Sequence, residues 1–110
     1  MVSRGEIVVV SAPGEYGKPR PAVVVQTNLL NPTHASIAVC LITSDLVDAP
    51  LFRITVEPSA ANGLRVPSQI MADKMIALGR RRLGSAIGKL DAETMIQVSR
   101  SLALVLGLAD

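Results

Sequence analysis

Residues 6–26 read Glu6-Ile7-Val8-Val9-Val10-Ser11-Ala12-Pro13-Gly14-Glu15-Tyr16-Gly17-Lys18-Pro19-Arg20-Pro21-Ala22-Val23-Val24-Val25-Gln26. Two apolar, largely β-branched runs bracket a segment that neither a helix nor a strand tolerates. Such runs fit a pleated, buried environment, so Glu6–Ser11 and Arg20–Gln26 are predicted strands. The segment between them holds two glycines, two prolines and two charges, together with one of the chain's two aromatic residues. That is loop chemistry of the kind that often carries function. Pro21 stands at the start of its strand, where a missing N–H does least harm.

Working outward, Asn28–Thr33 is a predicted turn and Ser36–Ile42 a third strand, ending in Thr43-Ser44-Asp45. Phe52–Glu57 alternates apolar and polar side chains, the pattern of a half-buried antiparallel strand. Pro58–Pro67 contains the turn signal Asn62-Gly63. Ser68–Ala72 and Lys74–Leu78 read as two short strands around Asp73, Arg80–Gly84 as a basic turn, and Ser85–Leu90 as one more strand. Asp91 is placed as a helix N-cap with Glu93 in the first turn. Met95, Val98, Leu102 and Val105 form an apolar stripe, widened by Ile96, Ala103 and Leu106, and Gly107 is the expected C-cap. This describes an amphipathic helix of about four turns that closes a core. Many short strands followed by one helix predict a mainly β fold with a C-terminal helix: a small, strongly bent sheet or barrel with the helix across it.

The chain has 110 residues, 49% apolar and 18% charged, which predicts one domain spanning residues 1–110 and excludes a disordered chain. Its apolar runs fall far short of the roughly 18 residues of a membrane span. Glu6 interrupts the position where a signal peptide needs an apolar core, so a cytoplasmic location is expected. One cysteine, Cys40, excludes an intramolecular disulfide, and one histidine, His34, excludes most His-based metal centres. With aromatics at only 2%, the core must come from aliphatic side chains and methionine, and some apolar surface is expected to remain for a partner, a second copy first among them.

Charge is segregated. Residues 1–50 carry 3 basic and 4 acidic side chains, residues 51–90 carry 7 and 2, and residues 91–110 carry 1 and 3. The middle is the natural seat for a polyanion, or else a solvated basic face. The common nucleotide-binding, serine-hydrolase and metalloprotease motifs are absent. Two features remain. Arg20, at the junction of loop and strand, offers a planar fork suited to phosphate oxygens; the alternative is a strand-end arginine in a surface ion pair. The hydroxyls of Thr43 and Ser44 either donate to a phosphate or cap a local turn through Asp45. His34 reads as an exposed turn residue, Cys40 as a small buried hydrophobe, and Met71, Met75 and Met95 as packing.

The order of these features resembles the MazF/PemK family of toxin–antitoxin ribonucleases. The segments that carry the resemblance are Arg4-Gly5-Glu6-Ile7-Val8-Val9-Val10, Arg20-Pro21-Ala22-Val23-Val24-Val25, Ile42-Thr43-Ser44, Asn62-Gly63-Leu64 through Pro67-Ser68-Gln69-Ile70 with Asp73, and Ile87-Gly88-Lys89-Leu90 followed by the terminal helix and Leu106-Gly107-Leu108. The resemblance spans nearly the whole chain and rests on order and spacing more than on any single motif. It implies an SH3-like barrel with a C-terminal helix, a homodimer, metal-independent and cofactor-free cleavage of single-stranded RNA, and a cognate antitoxin that blocks the RNA groove. It aligns Arg20 with the family's catalytic arginine, Thr43 with its catalytic Thr/Ser, and Asp73 with an acidic position catalytic in part of the family. That branch has an arginine two residues before the acid, where this chain has Met71. The first loop keeps Glu15 of the family's Glu-Gln pair.

Metal-free RNA cleavage uses the 2′-OH as internal nucleophile, so the protein must orient it, stabilise phosphoryl charge and move protons. Arg20 is expected on the scissile phosphate with Thr43 beside it. Arginine is a poor base, which leaves Asp73 or Glu15 for that role. Tyr16 is placed to stack on a base. Lys18, Ser44, Arg53, Arg80, Arg81 and Arg82 complete the expected RNA contacts. Two other readings fit the same plan: a gyrase-binding toxin, a class that typically ends in a Trp-containing segment whereas this chain has no tryptophan, and a barrel that has lost catalysis and keeps Arg20 and Thr43 disordered or blocked.

Overall fold

Alternation of side chains along a strand sends neighbours to opposite faces, so an unbroken apolar run must find cover on both. A computed structural model, which describes residues 2–12, 14, 18–108 and 110, shows how that cover arises. The strands are β1 (Glu6–Val10), β2 (Arg20–Val24), β3 (Ser36–Thr43), β4 (Arg53–Val56), β5 (Ser68–Gly79) and β6 (Leu83–Lys89), followed by helix α1 (Ala92–Val105). They form one antiparallel sheet in the order β4-β5-β3-β2-β1-β6. Ile7, Val23, Cys40 and Ile70 pack on one side with Met95, Val98 and Leu102 of the helix. Val8, Val10, Ala22, Val24, Ile37 and Val39 pack on the other, where Leu78 and the half-buried Val2, Ile76 and Leu83 close over them. The sheet is bent into a barrel-like shape without closing its β4 and β6 edges.

The bend has a visible cause. Ser68–Gly79 is one long strand, where the sequence reads as two short ones around Asp73. Cys40 pairs with Met75 and Ile42 with Ile70, so Leu41 alone faces residues 71–74. This β-bulge puts Asp73 on the surface and turns the strand, which lets residues 68–71 pair with β4 while β3 pairs with it on both sides of the bulge. The expected basic turn is a single 3-10 turn at Arg80–Arg82, and β6 starts at Leu83, two residues earlier than the sequence reading.

The segment between β4 and β5 is docked onto β6. Buried Asn62 organises it: Nδ2 donates to the Glu57 carbonyl at 2.9 Å, and Oδ1 accepts from the backbone N–H groups of Ser59 and Leu64 at 3.0 and 2.9 Å. The Lys89 N–H donates to the Ala61 carbonyl at 2.9 Å. Gly63 lies at φ 72°, and a Cβ there would stand 2.1 Å from the Ile87 carbonyl oxygen. Only glycine permits both the conformation and the approach.

Asp91 occupies the N-cap position in extended conformation, but its side chain makes no capping bond. The buried stripe of α1 is Met95, Val98 and Leu102; Val105, expected inside, is exposed, as are Ile96 and Leu106. The last turn runs past the core, whose helical members stop at Leu102. Gly107, at φ 74°, ends the helix: its N–H donates to Leu104 and that of Leu108 to Ala103, a Schellman closure. Among the described residues no helix is long and apolar enough to cross a membrane.

Candidate active site

β2 and β3 pair with Ala22 opposite Leu41. Two residues further along each strand lie Arg20 and Thr43, which therefore reach the same end of the strand pair. They line one open cleft of about 860 Å³. Lys18, Ser44, Asp45 and Arg65 line it too, over apolar walls that include Val9, Ile42, Leu64 and Ile87. The buried run after Arg20 fixes its backbone, and the Asn62-centred loop docked on β6 brings Gly63, Leu64 and Arg65 to the opposite wall.

Of the two sequence readings of Thr43, the local turn is present. Its Oγ1 accepts the Asp45 N–H at 3.0 Å, a local turn. That bond uses an oxygen lone pair and leaves the hydroxyl proton to be donated into the cleft. Behind this turn stands Gln69, which is paired with Thr43 across the β3–β5 ladder and is 5% exposed. Its Oε1 accepts from the Val47 N–H at 3.1 Å and from Arg53 Nη1 at 3.0 Å; its Nε2 donates to the Val47 carbonyl at 2.9 Å and to Thr55 Oγ1 at 3.2 Å. Arg53 Nη1 also donates to the Asp45 carbonyl at 3.1 Å. A fully satisfied buried amide thus fixes the segment that carries Ser44 and Asp45.

The other expected site residues are dispersed. Asp73 is exposed at the bulge and does not line the cleft. Arg53 lines a separate depression. Arg80 donates from Nε to the His34 carbonyl at 2.7 Å and from Nη2 to the Asn31 carbonyl, while Arg82 donates to the Ser11 carbonyl at 3.2 Å. Arg81 is exposed, away from the cleft. Glu15 and Tyr16 lie outside the described residues. Reasoning from the sequence missed Arg65 and gave Asp45 only a capping role; the signal for Arg65 was a cation two residues after the Asn62-Gly63 turn. His34 is exposed and Cys40 buried, as read, whereas Met75 is exposed rather than packed. Burial, and then the Asp73 carboxylate, push the Cys40 thiol up to about 12. Among the described residues no three His, Cys, Asp or Glu side chains gather into a metal-binding cluster.

Against this geometry, the model of the PemK-like, MazF-like toxins of type II toxin–antitoxin systems matches residues 3–106. The chain belongs to this toxin family. It is 39% identical over 107 residues to a probable endoribonuclease MazF of Mycolicibacterium smegmatis, covering 96% of this chain and 97% of that protein. A mycobacterial endoribonuclease solved in complex with its cognate antitoxin superposes with a TM-score of 0.82 at 25% identity, over 98% of this chain and 97% of that one. MazF from Deinococcus radiodurans gives 0.78 at 26% identity over 96% of each. These likenesses fall on the MazF side of the barrel-plus-helix plan.

Proposed function

We propose that this MazF-like toxin is a cytoplasmic endoribonuclease that cuts single-stranded RNA by 2′-OH attack on the adjacent phosphorus, in one barrel-like domain spanning residues 1–110. The observation that carries the reading is that Arg20 and Thr43 line one open cleft with Lys18 and Arg65 beside them. The guanidinium of Arg20 binds the non-bridging oxygens of the scissile phosphate and stabilises the charge that grows there during attack. The Thr43 hydroxyl donates to the same group. Lys18, Arg65 and Ser44 hold flanking backbone.

For the base the cleft offers Asp45, the one carboxylate among its described lining residues. Asp45 takes the 2′-OH proton as the 2′-oxygen bonds to phosphorus. The bond from phosphorus to the 5′-oxygen then breaks, leaving a 2′,3′-cyclic phosphate on one fragment. The departing 5′-oxygen is protonated from solvent and leaves as a 5′-hydroxyl. Asp73, on its bulge, is given no step. The resemblance to an endoribonuclease solved with its antitoxin supports control by a cognate antitoxin laid over the cleft. Exposed Ile96, Leu104, Val105, Leu106 and Leu108 support pairing with a second copy through the end of α1.

Purified protein should cut a long RNA to cyclic-phosphate and 5′-hydroxyl ends. A 2′-deoxy substitution at the scissile nucleotide should block that cut. Arg20→Ala should lower the rate by about 10²–10³-fold with melting temperature retained. Undiminished cutting by that variant, or cutting of the deoxy substrate, refutes the mechanism.

A further inference from the structure

We infer that a second depression, between β4 and α1, binds a backbone phosphate of the RNA at a nucleotide outside the scissile step; this rests on the endoribonuclease reading above. The depression has a volume of about 480 Å³ and is lined by Arg53, Thr55, Gln97, Arg100 and Ser101 over Pro50 and Ile54. Gln97, Arg100 and Ser101 stand at i, i+3 and i+4 of the helix, so they share one face. Arg53 and Thr55 are alternate residues of β4, so they share one strand face. Two guanidiniums therefore serve one recess in which no carboxylate lies among the described residues.

Arg53 is already positioned. Its Nη1 is held by the Asp45 carbonyl and by Gln69, while its Nε–H is buried and has no partner among the described residues. A donor left over beside an open cationic recess gains an acceptor when a small shift of the side chain meets a ligand oxygen. Arg100, by contrast, is exposed and makes no hydrogen bond or ion pair among the described residues, so it is available to swing onto an anion. Guanidinium forks, a hydroxyl and an amide suit phosphodiester oxygens. The apolar lining is confined to Pro50 and Ile54, which gives the side chains of a peptide little to pack against.

Position ties this recess to catalysis. Asp45 lines the cleft of Arg20 and Thr43, and its carbonyl receives Arg53. The two recesses thus meet at one residue, and a strand whose scissile phosphate sits on Arg20 can leave the cleft past Asp45 toward Arg53 and Arg100. The sequence offers Arg53 as an RNA contact but assigns nothing to Arg100, which lies outside the basic middle segment and joins it only in the fold.

The test uses RNAs that carry a 2′-deoxy nucleotide at the scissile step and are lengthened by one nucleotide at a time in each direction. Affinity is measured by fluorescence anisotropy across a salt series, for the wild type and for Arg100→Gln. Wild-type affinity should step up at one length in one direction. Arg100→Gln should remove that step and flatten the log–log salt slope by about 0.7 for RNAs beyond it, the value for one single-strand phosphate contact. An equal loss at every length, or no loss in a variant of unchanged melting temperature, overturns the site. Intact RNA binding with weakened binding of an acidic antitoxin peptide also overturns it, in favour of a protein partner. A wild type that does not cut unmodified RNA sinks the endoribonuclease reading and this site with it; a wild type that cuts while Arg100→Gln shows no length-specific loss sinks this site alone.

Discussion

In the proposed mechanism Thr43 has two jobs for one oxygen, and its chemistry separates them. The hydroxyl accepts the Asp45 N–H and offers its proton to the cleft. Thr43→Ser keeps both and should retain cleavage within a few-fold, while Thr43→Val loses both and should cost about 10²-fold, near the low end for a lost oxyanion donor. Asp45→Asn leaves the backbone turn in place and removes only the proton acceptor, so its loss of kcat should fall in the range of about 10²–10⁴-fold for general base catalysis. Rate constants under saturating RNA check all three. Cys40 shows the opposite case, a reactive side chain made inert. It is fully buried, and its thiol is held at about 12 against 9.0 for the free group. Between those values the unfolded chain gives up the proton and the folded chain keeps it, so the unfolded state binds fewer protons. Stability contributed by this site should fall as pH rises from about 9 toward 12, with a slope of up to ~1.4 kcal/mol per pH unit, and should be flat below that window. Denaturant melts from pH 7 to 11 on the wild type and on Cys40→Ala read the difference, and alkylation at pH 8 should require unfolding.

At the scale of elements, the docking of the 58–67 loop on β6 depends on two backbones touching. Gly63 has φ 72° and no room for a Cβ beside Ile87, and a Cβ on Gly88 would stand 2.3 Å from the Asn62 carbonyl carbon. Gly63→Ala combines a left-handed conformation with a backbone clash, so it should cost more than about 2 kcal/mol by equilibrium unfolding. Because the same loop supplies Leu64 and Arg65 to the cleft, RNA affinity should fall in parallel. A loss confined to one of these readouts contradicts the proposed role of the loop. The contrast with the strands shows what a sequence can reveal. Ile7–Val10, Ala22–Val25 and Ile37–Ile42 were legible because burial on both faces leaves no polar residue in the run. The β5 bulge was not, since a charged residue that breaks an apolar pattern looks the same whether the strand ends or merely turns. Arg20 and Thr43 were legible as strand-end residues; that the cleft takes Asp45 and Arg65 rather than Asp73 follows from register and loop docking, which are long-range and leave no local mark. Val105 continued the helical period, yet burial depends on where the core beneath the helix stops.

For the molecule as a whole, positive charge and apolar surface have different destinations. The sequence offered the basic middle as a seat for a polyanion or as a solvated basic face; in the fold Arg80 and Arg82 bind backbone carbonyls and act as bolts between segments far apart in sequence. Exposed apolar side chains occur elsewhere too, Leu29 and Leu51 among them, but one group of them is contiguous in sequence: Leu104 at 43%, Val105 at 41%, Leu106 at 51% and Leu108 at 76% exposure lie at and just past the end of α1, with Ile96 at 52% two turns before them. In a chain with 49% apolar residues and a core already closed on both sides of its sheet, a cluster of this kind costs solubility unless a partner covers it. A second copy is the partner always present at the protein's own concentration. Sedimentation equilibrium should therefore return twice the 11.6 kDa chain mass at micromolar concentration, and Leu104→Glu with Leu106→Glu should return the single mass with the circular dichroism of the folded barrel. Both residues are already in water in the isolated chain, so the substitutions should cost the monomer within about 0.5 kcal/mol each. A wild type that stays at one chain mass, or a double variant that stays paired, rules out this end of the helix as the contact; a double variant that unfolds shows instead that Leu104 and Leu106 support the barrel itself.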